Sequence, residues 1–168
     1  MAEAGVCRAR GGDVNDSGYS AMREAIEHYL GLLDGSELPE DCVALARTLD
    51  RLTDAYFQTE DCDPGDAADA PQIDYKELYK SAGSAFPSLG YYPAVDPGGE
   101  LTRQEASVGD AIDDLADIAR DLKEVLWHCE NTTPQAAIWE FRFGYQTHWG
   151  VHLHQLRGFL HSSRIAAW

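Results

Sequence analysis

Basic residues are scarce in this chain: 13 lysines and arginines stand against 29 aspartates and glutamates in 168 residues, a formal charge of −16. That surplus repels phosphate backbones and anionic lipid headgroups, which argues against nucleic acid and membrane surfaces as partners. Cysteine supplies no framework either. Cys7, Cys42, Cys62 and Cys129 are far apart and form no Cys-x-x-Cys pair, so neither a zinc knuckle nor a thioredoxin-like redox motif is supported, and a reducing compartment fits. No stretch approaches about 18 consecutive apolar residues, and residues 1–16 lack the apolar run of a secretory signal. These absences point to the cytoplasm. A glycine-rich phosphate loop is also missing, as is any Ser/His/Asp or Cys/His arrangement suited to nucleophilic catalysis.

What is present is enough apolar material for one core, 44% of the residues, in a chain of single-domain size. A polar, glycine-bearing start over residues 1–16 reads as disordered, and 17–168 as one domain. Met22, Ile26, Tyr29, Leu30 and Leu33 recur at the three- and four-residue intervals of an amphipathic helix, which Gly35 stops. Ser36 and Pro39 offer a start for a second helix with Cys42, Leu45, Leu49, Leu52, Ala55 and Tyr56 on its core face, ending near Thr59. Residues 60–72 carry Asp61, Asp63, Pro64, Gly65, Asp66, Asp69 and Pro71 and read as a solvated loop; the aspartate spacing does not match a calcium loop. A short helix over Tyr75 to Phe86 ends ahead of Pro87. A long irregular connection then reaches about Ser107, in which Tyr91 and Tyr92 are expected to close the open end of the bundle.

From Gly109 to Glu130, Ala111, Leu115, Ile118, Leu122, Val125 and Leu126 form one apolar helical stripe. At about 100° per residue, Asp110, Asp114, Asp117, Asp121 and Glu124 fall within an arc of about 80° beside it. Like charges three or four apart are unfavourable. Asp110 is helped by the positive end of the helix dipole, and Arg120 and Lys123 relieve Asp117 and Glu124 in part. The remaining stripe calls for positive charge from a neighbouring element, a bound cation or water.

Thr133-Pro134 is a strong helix start, and the pattern predicts one helix running about 45 Å to Ser163. Ile138, Phe141, Tyr145, Trp149, Leu153, Leu156, Phe159 and Leu160 share its broad apolar face, with Arg142 among them and His148 and His152 at the edge. A buried guanidinium needs a carboxylate, so Arg142 is expected to pair with Asp117, or failing that Asp114. Gly144, Gly150 and Gly158 weaken a helix and imply that a backbone or bulky ring approaches closely. His148 and His152, four apart, have the spacing by which two imidazoles hold one metal ion; Asp114, Asp117 or Asp121 would supply a third ligand.

The strings Asp113-Asp114-Leu115-Ala116-Asp117-Ile118, Arg120-Asp121-Leu122-Lys123, Trp139-Glu140-Phe141-Arg142-Phe143 and His148-Trp149-Gly150-Val151-His152 resemble a bacterial family catalogued only as a domain of unknown function. The likeness covers Gly109 to Leu160, with a weaker stretch from Phe86-Pro87 to Tyr91-Tyr92. It implies a small, helical, cytosolic protein and assigns no activity or catalytic residue. The all-helical nucleotide pyrophosphohydrolases are not matched, because only Asp114-x-x-Asp117 has their spacing and the second acidic motif is missing. Bundles of the DinB group draw three histidines from separate helices, whereas two stand here on one.

The fold expected is all-α: four long helices and one short one, with a long loop before a C-terminal helical hairpin. Two functional readings follow. In the first, a small acidic cytosolic binding or accessory protein without catalysis uses Asp114, Asp117, Asp121, Arg142, His148 and His152 as a buried polar network that fixes helix register. In the second, a divalent-metal hydrolase or lyase holds its ion with His148, His152 and Asp117, and Asp114 or Asp121 acts as general base. A third possibility is that Tyr91, Tyr92 and Trp168 mark an apolar surface for a homodimer or another protein.

Overall fold

The structure, a computed structural model, describes residues 15–35, 41–96, 98–99 and 106–165. Aspartate and its relatives start the helices. Asn15 caps α1 (Asp16–Asp34), Asp41 caps α2 (Cys42–Gln58), Asp74 caps α3 (Tyr75–Ala85) and Asp110 caps α4 (Ala111–Asn131), each accepting from one or two backbone N–H groups of the first turn. Thr133 caps α5 (Pro134–Thr147) through the N–H of Ala136, with Pro134 at the first helical position. Part of the acidic excess is thus used to satisfy the unpaired N–H groups of helix starts. Gly35, at φ 79°, ends α1 in the left-handed conformation. Residues 15 and 16 belong to the cap and first turn of α1 rather than to a disordered start. Residues 1–14, the start signal placed at Ser36 and Pro39, and Trp168 lie outside the described residues.

The expected last helix is two. The chain breaks at His148 (φ −145°, ψ −83°) and resumes as α6 (Trp149–Leu160), followed by a π-helical turn, His161–Ile165. Two crowded glycines frame the break. A Cβ on Gly150 would overlap the carbonyl oxygen of Tyr145, and one on Gly144 would lie 2.8 Å from the indole of Trp149. The break lets Trp149 turn fully into the core, against Phe141 and Tyr145 at 5.1 and 5.0 Å between ring centres. A Cβ on Gly158 would meet open space, so the packing expected there is absent.

The connection after α3 is not irregular throughout. β1 (Tyr91–Ala94) pairs antiparallel with β2 (Ser107–Asp110), Tyr92 facing Gly109. Strand alternation separates the paired tyrosines: Tyr91 is 75% exposed, whereas Tyr92 is 5% exposed and stacks on Phe159 at 4.7 Å. Gly109 permits this, since a Cβ there would come 2.5 Å from the Tyr92 ring.

The architecture is all-α with this small strand pair attached. α1 lies along α2, and α4 is the central element, packed by α1, α3, α5 and α6. Met22, Ile26 and Tyr29 of α1, Leu45, Leu49 and Leu52 of α2, and Leu115, Ile118 and Leu122 of α4 are wholly buried in one cluster. The Tyr29 hydroxyl donates to the Leu115 carbonyl at 2.9 Å, so its polar end is satisfied inside the core. No described helix is long and apolar enough to cross a membrane.

Candidate functional site

Asp114, Asp117 and Asp121 follow one another up a single edge of α4, and α5 and α6 return antiparallel beside it. Later carboxylates therefore meet earlier histidines. Asp121 Oδ2 lies 2.7 Å from His148 Nδ1, and Asp114 Oδ1 lies 2.8 Å from His152 Nδ1. Asp114 is 4% exposed, and its other oxygen accepts a hydrogen bond from the Tyr92 hydroxyl. Between the two pairs, Asp117 Oδ2 faces His152 Nε2 at 3.7 Å. One ligand atom each from Asp117, His148 and His152 lies within 4.8 Å of the others. The rings of His148 and His152 stand 4.9 Å apart at 62°.

Environment tunes these groups. Burial pushes the Asp117 carboxyl above its usual range, opposed by His152 and Arg120. His152 is held above the ordinary imidazole range by its bond to Asp114, against the desolvation that favours the neutral ring. Tyr92 is pushed up by burial and then by its bond to Asp114, and stays a proton donor.

One cation already sits here. Arg120, 33% exposed, places Nη1 3.2 Å from Asp117 and Nη2 3.2 Å from Asp121. Nη2 also approaches the two ring nitrogens of His148 at 3.4 and 3.5 Å. The Arg120 guanidinium lies 5.7 Å from the centre of the Tyr75 ring, whose hydroxyl donates to Asp113. The expected partial relief by Arg120 is found: it pairs with Asp117, takes Asp121 as a further partner, and opposes the burial that raises the Glu124 carboxyl.

Arg142 does not join this cluster. Its Nε donates to Asp61 at 2.6 Å, and Nη1 donates to the carbonyls of Tyr56 and Thr59 at 2.8 and 2.6 Å, with the guanidinium 4.4 Å above the Tyr56 ring. The guanidinium does find a carboxylate, but it is Asp61 rather than Asp117 or Asp114: α5 carries Arg142 over the end of α2, where Asp61 and the Tyr56 and Thr59 carbonyls receive it together. Five of the six residues singled out from the sequence come together. Tyr92 and Tyr75 are additions that periodicity in α4 and α5 could not reveal, although the alternation within β1 places Tyr92 inward.

The geometry matches what metal-binding histidines need. Each imidazole is oriented through Nδ1 by its own carboxylate, the outer-shell arrangement that fixes ring position, while Nε2 of His152 faces Asp117 and Nε2 of His148 lies 3.4 Å from Arg120 Nη2. Neutral His152 would point a lone pair at an Asp117 oxygen across a gap longer than a hydrogen bond. Two atoms each about 2.0–2.2 Å from one zinc-like ion lie about 3–4 Å apart, and this pair does so already. Asp114 and Asp121, expected as general bases, are instead engaged by the imidazoles, Tyr92 and Arg120.

Fold and site together define a small all-α protein with a two-histidine, one-carboxylate cluster between its central and C-terminal helices. The chain belongs to the family described as a domain of unknown function, DUF5063, whose model matches residues 40–166. The crystal structure of protein BF1032 from Bacteroides fragilis shares the fold, with TM-score 0.60 at 16% identity over 90% of this chain and 92% of that one. No curated protein matches the chain. The family has no assigned activity and the likeness to BF1032 shows the fold alone, so neither supports a catalytic function.

Proposed function

We propose that this is a cytoplasmic accessory protein that binds a divalent transition-metal ion between α4 and α6, through His148, His152 and Asp117. The observation that carries the reading is the pairing of Nδ1 on each histidine with a separate carboxylate, beside an Asp117 carboxylate oxygen that shares one small volume with a ring nitrogen of each histidine. Imidazole and carboxylate together suit zinc, iron, cobalt or nickel better than calcium or magnesium. The carboxylates along α4 add an attractive field for cations. The same acidity opposes nucleic acid and anionic membranes as partners, and Cys62 and Cys129, present as thiols, suit a reducing compartment. Asp114 and Asp121, the carboxylates nearest to serve as general bases, are held by the imidazoles, Tyr92 and Arg120, which favours binding over catalysis.

The test is Co²⁺ titration of protein made without an affinity tag, followed by visible absorption and by thermal denaturation with and without Zn²⁺. Wild type should take up one ion, gain d–d bands and melt at higher temperature as the ion binds the folded state; a His148→Ala/His152→Ala variant should lose all three responses. Absence of binding by wild type, or retention of it in the double variant, would reject the site. The competing reading is a metal-free polar network that fixes helix register, favoured by the contacts of Arg120 with Asp117 and Asp121. It expects no ion in either protein and a loss of stability on substituting either histidine.

A further inference from the structure

We infer that Arg120 is the cation that closes this site in the metal-free protein, and that metal entry requires its guanidinium to leave Asp117. The inference rests on the metal-binding reading above and concerns how that site is regulated. Arg120 Nη1 lies 3.2 Å from Asp117 Oδ1, and Nη2 lies within 3.5 Å of both His148 ring nitrogens. One guanidinium thus contacts two of the three groups that would ligate the ion. A divalent ion held by those groups and a guanidinium in van der Waals reach of them repel each other, and the Asp117 carboxylate cannot keep its full attraction for both. The arginine has somewhere to go. Its Nε and Nη2 both bond Asp121 at 3.2 Å, its guanidinium lies over the Tyr75 ring, and a third of the side chain reaches solvent. Rotation that takes Nη1 from Asp117 and Nη2 from His148 can keep the Asp121 ion pair through Nε, exchanging the other contacts for water.

The consequence is a site whose affinity is set by internal competition. Arginine cannot be neutralised by pH in the physiological range, so the competitor is always present and only a cation with a stronger claim on imidazole and carboxylate displaces it. Calcium and magnesium, which gain little from imidazole, would lose that contest. Such a site exchanges its ion readily rather than holding it permanently.

Co²⁺ titrations of wild type, Arg120→Met and Arg120→Lys test this. Arg120→Met, which keeps the aliphatic bulk and removes the charge, should bind Co²⁺ roughly tenfold more tightly than wild type, and Arg120→Lys should stay near wild type. Equal or weaker binding by Arg120→Met, with wild-type binding still abolished in the double histidine variant, overturns the competition and leaves the metal site standing. No Co²⁺ binding by any of the proteins overturns the metal site itself. Should Arg120→Met fail to fold, the Arg120 Nε–Hε signal of wild type decides the matter by NMR: Zn²⁺ shifts it if the guanidinium is displaced, and an unmoved signal at full Zn²⁺ occupancy rejects displacement.

Discussion

Arg142 shows how one side chain can close a helix from a distance. The last turn of α2 carries no basic residue, and its free carbonyls concentrate negative partial charge. Arg142, arriving from α5, donates to the Tyr56 and Thr59 carbonyls and to Asp61, which joins the helix end and the loop after it to the C-terminal half of the chain. Arg142→Met should therefore cost about 2–3 kcal/mol, the penalty of acceptors left unpaired away from water, and Arg142→Lys should recover only part because an ammonium lacks the planar fork. Urea denaturation at neutral pH measures both; a methionine variant as stable as the parent would refute the role. Glu140 is the opposite case. Burial first, and then Glu124, Asp121 and Asp69, push its carboxyl above the usual range. Because the folded-state value exceeds the unfolded one, ionisation is a burden on the fold that is absent below the unfolded pKa and complete above the folded one. Glu140→Gln should accordingly raise Tm at pH 7 by about 2–4 °C per kcal/mol of burden relieved and change it little near pH 4. A gain at pH 4 as large as at pH 7 would contradict this.

At the scale of elements, the break between α5 and α6 is framed by the crowded Gly144 and Gly150, unlike Gly158 farther along α6. Gly150 admits the Tyr145 carbonyl where a methyl group would stand, whereas Gly158 looks onto open space. Gly150→Ala should destabilise by about 2 kcal/mol or more, because the overlap is with backbone that cannot turn aside. Gly158→Ala should stabilise by about 0.5–1 kcal/mol through helix propensity alone. The two variants, compared by thermal unfolding, should move Tm in opposite directions; a Gly150→Ala variant as stable as the parent would mean that the break is set elsewhere. Helices α1 to α4 and a helical stretch from Pro134 onward were foreseeable from their apolar periods, and Thr133-Pro134 marked where that stretch begins. The strand pair of β1 and β2 was not, because four residues of alternation around Tyr92 form no signal until Ser107–Asp110, well separated along the chain, is placed beside them. The break at His148 was hidden because the helical period continues through it; only the crowding of Trp149, Gly144 and Gly150 interrupts it.

Across the whole molecule, a formal charge of −16 acts as a distributed strain that no single pair relieves. Raising NaCl from about 0.01 to about 0.15 M shortens the screening length from about 30 to about 8 Å, so Tm should rise over that interval as self-repulsion falls. A Tm that falls with salt would show instead that the ion pairs of Arg23, Arg120, Arg142 and Arg157 dominate the balance. From the sequence alone came the all-α class, the helices as far as α4, the acidic edge of α4 and the grouping of His148 and His152 with its carboxylates, because periodicity and spacing state which side chains share a face. Which cation meets which anion was left to the tertiary structure. A helical period specifies rotation about an axis but neither the height at which two helices pack nor the path of a loop. Packing height therefore paired Asp121 with His148 and Asp114 with His152, and the path of residues 59–61 beneath α5 drew Arg142 away from α4.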